Sequence, residues 1–226
     1  MIFRLFKQRR FPMRNIRIVI CSKSPNPYLY SCIKNLFHLQ IRNDTVNNYK
    51  VMVVDSDSDD FTNYDKIKVD FPEVEIHFAK NKNYEYGAWK YAFSLYPNDD
   101  IYFCIQDTLI MHQKLDLSMI NDNNAYTYHV NRGFDLELRE TYPELLEGCE
   151  LDWKQFVGRN FCLATHSSFI VTRHRMHDIF QTLKKPPVNK YGCCSYERIF
   201  GVYFILKKIE TFDMSGSLKK IHGNRL

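Results

Sequence analysis

Two stretches of this chain carry side chains whose type and position could do chemistry. The first is the run of β-formers Ile101-Tyr102-Phe103-Cys104-Ile105, which stops at Gln106-Asp107-Thr108. A short apolar run bounded by polar residues reads as a strand buried on both faces. A carboxylate at the carboxyl end of such a strand, in an alternating α/β chain, lies where these sheets bind ligands. Asp107 is therefore expected to face a diphosphate, directly or through a divalent cation; its plainer role would be to cap the next turn. The second stretch is Asp55-Ser56-Asp57-Ser58-Asp59-Asp60, which follows the apolar run Val51 to Val54. Carboxylates this dense repel unless cations, backbone donors or solvent meet them. The loop starts like an EF-hand, but Asp60 and Lys66 stand where Gly and Glu would be required, so calcium is rejected.

The elements that must hold these residues follow from periodicity. Ile16 to Cys21 is rich in β-branched residues and reads as the first strand. Tyr28 to Leu39 repeats apolar residues at helical spacing, Lys50 to Val54 is a second strand and Glu73 to Ala79 a third. A helix over Ala88 to Leu95 leads to the strand that ends at Asp107. The segment between the second and third strands reads as a loop. This alternation predicts an α/β fold with a mostly parallel central sheet and helices on both faces. In the second half, strands are expected at Ala125 to Val130 and Ser167 to Val171, and helices at Met176 to Leu183 and Tyr196 to Lys207. Asn131 to Glu150 reads as irregular, with a short helix near Pro143, and Ser217 to Leu226 as a basic tail.

Composition narrows the classes. With 226 residues and 45% apolar content, one domain with a sizeable core is expected. The net charge of +5 suits an anionic ligand but is too dispersed to demand nucleic acid. The seven cysteines are scattered and form no CxxC, which argues against zinc and for a reducing, cytoplasmic setting. Cys21, Cys32, Cys104 and Cys162 should behave as small buried hydrophobes. No run approaches the roughly 20 apolar residues of a membrane span. The leader, residues 1–14, carries apolar and basic residues together and could make weak contact with an anionic membrane surface, or simply fray. No GxGxxG, GxxxxGK[ST] or GxSxG occurs, which argues against dinucleotide, P-loop and serine-hydrolase chemistry.

Three segments together, VMVVDSDSDDF from Val51, AKNKNYEYGAWKYAF from Ala79 and DDIYFCIQDT from Asp99, resemble the GT-A glycosyltransferases, especially the family-2-like group. The resemblance covers roughly the N-terminal half. It implies a single GT-A domain over 15–226, with a nucleotide-sugar-binding half at 15–112 and an acceptor-side half at 113–226. It also implies transfer of a sugar from a nucleotide-diphosphate donor, with UDP as the expected carrier, to a hydroxyl of a glycan or other acceptor. The segment CSYERIFGVYF resembles the helix carrying an acidic residue at the acceptor site, and KKIHGNRL the terminal His-Gly of some GT-A enzymes, where the His completes a metal shell.

Site assignments follow from that resemblance. Asp107 and His222 are the expected metal ligands, and a carboxylate paired with an imidazole favours Mn²⁺ over Mg²⁺. Glu197 is the candidate base for the acceptor hydroxyl, a role worth about 10²–10⁴ in rate. Ser22, Asp55, Asn83, Tyr86, Gly87, Lys90 and Gln106 are the expected donor-binding residues. Gln106-Asp107-Thr108 departs from a full DxD motif by one carboxylate, so a metal-independent enzyme whose lysines and arginines carry the phosphates stays open. So does a non-catalytic nucleotide-sugar-binding module; a sugar nucleotidyltransferase fits less well, because SKSPNP after the first strand lacks the Gly-rich, Arg-bearing loop such an enzyme needs.

Overall fold

The computed structural model of the chain describes residues 12–23, 27–80, 82–129, 151–152, 154 and 161–221. Within them a seven-stranded sheet forms the middle layer. Its strands are β1 (Asn15–Ser22), β2 (Asn48–Asp55), β3 (Glu75–Phe78), β4 (Ile101–Gln106), β6 (Asn124–Thr127), β7 (Phe169–Thr172) and β8 (Glu210–Asp213), in the order β3-β2-β1-β4-β7-β6-β8. Strands β3, β2, β1 and β4 run parallel, β7 is antiparallel to both β4 and β6, and β6 and β8 are parallel. A separate ribbon pairs β5 (Leu109–Met111) with β9 (Leu218–Lys220).

The period of two along each strand divides the core. Ile16, Ile18 and Ile20 of β1, Val51 and Val53 of β2, and Ile101, Phe103 and Ile105 of β4 face α1 (Pro27–Asn35), the π-helical segment Leu36–Ile41 that continues it, α2 (Thr62–Asp70) and the β5–β9 ribbon. Val19, Cys21, Met52, Val54, Tyr102 and Cys104 face α3 (Tyr84–Leu95), α4 (Arg173–Thr182) and α5 (Lys190–Leu206). The α/β architecture with a mostly parallel sheet flanked by helices is as the alternation predicts.

Several elements differ from the sequence expectation. Helix α2 stands where a loop was read; it buries only Tyr64 and Ile67, so its apolar periodicity is faint. Helices α3 and α5 begin four and six residues before their apolar pattern does, at Tyr84 and Lys190. The α5 start is set by Asn189, whose Oδ1 accepts from the Gly192 N–H at 2.8 Å. The basic tail contains a strand, β9, because Leu218 enters the core beside Leu109 and Met111. Cys162 is exposed, whereas Cys21, Cys32 and Cys104 are buried as expected. The expectations for Asn131 to Glu150 lie outside the described residues. Among those residues no helix is long and apolar enough to cross a membrane.

Candidate functional site

The chain winds outward from β1 to β2 to β3 and then returns to the other side of β1 as β4, so the strand order reverses between β1 and β4. In open α/β sheets the crevice outside the carboxyl ends at such a reversal is where ligands bind. Ser22, Asp55, Gln106 and Asp107 all lie on that rim: Ser22 pairs with Asp55 across β1–β2, and Cys21 pairs with Gln106 across β1–β4. The Asp107 N–H continues the ladder by bonding the Cys21 carbonyl at 3.1 Å.

Strand parity sends these side chains to opposite faces. Asp55 and Asp107 follow the α1–α2 face and are 1% and 2% exposed. Asp55 accepts from the Ser58 N–H at 2.9 Å, from the Ser58 hydroxyl, and from the Tyr64 hydroxyl at 2.6 Å. Ser22 Oγ donates to Asp107 Oδ2 at 3.0 Å. Burial and then the Asp55 carboxylate push the Tyr64 phenol far above its usual range. Asp107 adds to the burial that raises the Cys32 thiol on α1. On this face the carboxylates hold the acidic loop and the β4 terminus in place.

Gln106 follows the other face. Its amide nitrogen donates to Glu85 Oε1, and its carbonyl oxygen accepts from Lys220 Nζ at 2.5 Å. The other Glu85 oxygen accepts from the Cys193 thiol on α5, and burial and then Glu85 raise that thiol well above its usual range. One turn further along α5 is Glu197, whose side chain keeps 21% of its surface in water. Burial pushes its carboxyl up to about 7; the His166 N–H opposes this, Glu85 adds to it, and Arg198 and Lys220 oppose it.

Two backbone features fix Glu197. His166 and Ser167 have φ of 58° and 49°, the left-handed region that costs a non-glycine residue energy unless its surroundings impose it. They do: Trp89 Nε1 donates to the Ser167 carbonyl at 3.0 Å and Ser168 Oγ to the His166 carbonyl at 3.0 Å. The turn thereby carries His166 Nδ1 to 3.8 Å from Glu197 Oε1. The Ala164 N–H donates to the Glu197 carbonyl at 3.0 Å. Such a close approach of α5 requires Gly201, where a Cβ would lie 2.4 Å from the Cys162 carbonyl oxygen.

A cleft of about 240 Å³ opens at the same rim, lined by Lys23, Ser56, Asp57, Lys82, Tyr84 and Val188. Ser56 joins it to the Gln106 face, since its Oγ lies 3.4 Å from Cys21 Sγ. The remaining expected residues are scattered. Asn83 Nδ2 donates to the Pro187 carbonyl at 2.8 Å and its own carbonyl accepts from the Gly87 N–H, so both shape the start of α3. Tyr86 is in the core: its hydroxyl bonds the Leu183 carbonyl and its ring packs 4.8 Å from Tyr196. Lys90 is exposed, with Nζ 5.9 Å from the Tyr86 ring. His222 lies outside the described residues; Ile221 before it is held to the Thr108 carbonyl at 2.9 Å. The sequence reading missed Glu85 and Lys220. Parity assigns Gln106 and Asp107 to opposite faces, but no sequence signal brings Glu85 and Lys220 to Gln106.

Of the two expected metal ligands, Asp107 alone lies among the described residues. Among the described residues no three His, Cys, Asp or Glu side chains form a group that could hold a metal. Asp107 gives one of its oxygens to Ser22 beneath α1, and the Gln106 oxygen accepts from an ammonium.

No family model and no curated protein sequence matches the chain. Solved structures do resemble it. The crystal structure of S. aureus TarS superposes with a TM-score of 0.51 at 8% identity, over 92% of this chain and 37% of that one. TarS 1-349 gives 0.52 at 10% identity, over 90% and 59%, and the apo WbbM bifunctional glycosyltransferase 0.51 at 12% identity, over 89% and 39%. The chain thus spans between about a third and three-fifths of the length of these structures. Its fold is GT-A-like, the fold of the glycosyltransferase structures it resembles.

Proposed function

We propose that this chain transfers a sugar from a nucleotide-diphosphate donor, with UDP as the carrier, to an acceptor hydroxyl, and that Glu197 is the base. The observation that carries this reading is the carboxyl of Glu197, raised to about 7 by burial. A base whose pKa lies near the working pH combines an ionised population with a real appetite for the proton. In a GT-A-like fold, at the rim where strand order reverses, such a carboxyl suits an incoming hydroxyl. The acceptor oxygen forms its bond to the anomeric carbon and releases its proton to Glu197. The bond from the anomeric carbon to the phosphate oxygen breaks, and its electron pair leaves with the nucleoside diphosphate. His166, 3.8 Å away on its strained turn, fixes the direction of the carboxyl. The cleft beside Ser56, with Lys23 and Lys82, suits the nucleotide. Asp55 and Asp107 serve this chemistry by shaping the rim: their side chains brace the loops that line it.

Release of the free nucleoside diphosphate from a panel of UDP-, GDP- and CDP-sugars, with Mn²⁺ and with a chelator, tests the reading. Turnover with one of them that falls by about 10²–10⁴ in Glu197→Gln supports it. A protein that binds a nucleotide sugar yet never turns it over, with or without acceptor glycans, would instead be a binding module. Gln106 in place of a second carboxylate is the feature favouring that second reading.

A further inference from the structure

The tail strand β9 brings a lysine to the tip of β4. Register pairs Lys220 with Leu109 of β5, the Lys220 N–H bonds the Tyr128 hydroxyl at 3.1 Å, and the next N–H, that of Ile221, bonds the Thr108 carbonyl at 2.9 Å. With its backbone so held, the side chain directs Nζ to Gln106 Oε1 at 2.5 Å and to the Thr108 hydroxyl. The chain therefore supplies a cation to the two side chains that flank Asp107. We propose that Lys220 is the positive charge that receives the donor's diphosphate, taking the place a divalent ion would hold between two carboxylates; this rests on the nucleotide-sugar reading above.

Three observations support it. The first is the chemistry of the motif. Two carboxylates at a strand tip concentrate negative charge that a divalent ion relieves, whereas Gln106 and Thr108 are neutral and offer oxygens to one ammonium. The second is direction. Asp107 turns under α1 to Ser22, so the side chains on the Glu197 face at this point are Gln106, Glu85 and Lys220. The third is reach. The cleft at Ser56 lies beyond β2 and Gln106 on β4, two strand spacings or about 10 Å apart across the sheet. An extended nucleoside diphosphate can bridge such a span, with its base end by Lys23 and Lys82 and its terminal phosphate at Lys220. When the bond to the anomeric carbon breaks, the departing diphosphate gains one negative charge, and an ammonium fixed beforehand stabilises it without reorganising.

Titration calorimetry and nucleoside-diphosphate release, both in excess EDTA, test this with the 226-residue chain. The wild type should bind UDP and turn over its donor as well in EDTA as in Mn²⁺. Lys220→Met should weaken UDP binding about tenfold or more and lower kcat by about 10²–10³, the usual cost of removing one such donor. Uridine, which lacks phosphates, should bind the wild type and Lys220→Met equally, and that equality also shows the variant is folded. Lys220→Arg keeps the charge and should recover part of the loss. Binding or turnover that vanishes in EDTA and returns with Mn²⁺ would overturn the inference while leaving glycosyl transfer intact, as would an unimpaired Lys220→Met. A wild type that binds no nucleoside diphosphate and turns over no nucleotide sugar, with or without metal, would end the underlying reading as well.

Discussion

Glu197→Gln should make the protein worse at its chemistry and more stable at alkaline pH, and the two effects share one cause. Burial raises the Glu197 carboxyl from 4.5 to about 7. The folded state therefore prefers this carboxyl protonated. Its stabilising contribution is fully present below pH 4.5 and is lost as pH rises to about 7, because the unfolded chain ionises first. The gap corresponds to about 3 kcal/mol, an upper limit because the side chain keeps 21% of its surface in water. Glutamine keeps the shape, can still accept the His166 N–H, and never ionises. At pH 8.5 the variant should gain up to about 3 kcal/mol over the wild type, and at pH 4 almost nothing. At about 2–4 °C per kcal/mol for a chain this long, Tm at pH 8.5 should rise by up to roughly 10 °C. Donor turnover should fall by about 10²–10⁴. Thermal melts of both proteins from pH 4 to 8.5, beside nucleoside-diphosphate release, read both quantities. A Tm difference that does not change with pH, or a variant destabilised at pH 8.5, would refute the account of the carboxyl. Unchanged turnover would refute its role.

Other consequences can be checked separately. The wild-type kcat/KM should rise about tenfold per pH unit below pH 7 and level off above it, as a base must be ionised to act; stopped assays from pH 5.5 to 9 show the bend. Gly201→Ala places a methyl 2.4 Å from the Cys162 carbonyl oxygen and should cost about 1–3 kcal/mol in urea melts, with turnover falling because α5 carries Glu197. Tyr64→Phe removes a 2.6 Å donor from buried Asp55 and should cost about 1–3 kcal/mol by the same measurement. Asp107→Ala removes the acceptor of the Ser22 hydroxyl at the rim and should abolish turnover, while Ser22→Ala should reduce it less.

Where the chain repeats apolar residues strongly, its sequence was sufficient. The parallel strands β1, β2 and β4 announce themselves through runs such as Ile16 to Ile20 and Val51 to Val54, because both faces of those strands are buried. Helix α2 was not legible, since two buried side chains in nine residues leave no pattern to read. The tail strand was hidden for a different reason: Leu218 is its one buried residue, and it is a strand only because β5 offers an edge to pair with. Chemistry-bearing residues follow the same rule. Those at strand ends, Asp55, Gln106 and Asp107, were found because a strand end is a local feature. Glu85 and Lys220 meet Gln106 from 21 and 114 positions away, and only the folded sheet brings them there.

The parity of β4 gives the site its division of labour. A strand cannot aim two successive side chains at one ligand while it remains a strand, so Gln106 and Asp107 had to part. The carboxylate went to the α1–α2 face, where Ser22 donates to it and where Asp55 accepts from Ser58 and Tyr64. Burying two carboxylates there is tolerable only because local donors satisfy them. The neutral amide went to the α3–α5 face, where an ammonium and two more carboxyls, Glu85 and Glu197, gather around it. Of these carboxyls Glu85 is tied to Gln106 and Cys193, while Glu197 is the one burial has raised into the neutral range. Under the proposed reading, Lys220 neutralises the leaving anion and Glu197 takes up the proton on this same face. On the opposite face the aspartates brace the rim through Ser22, Ser58 and Tyr64.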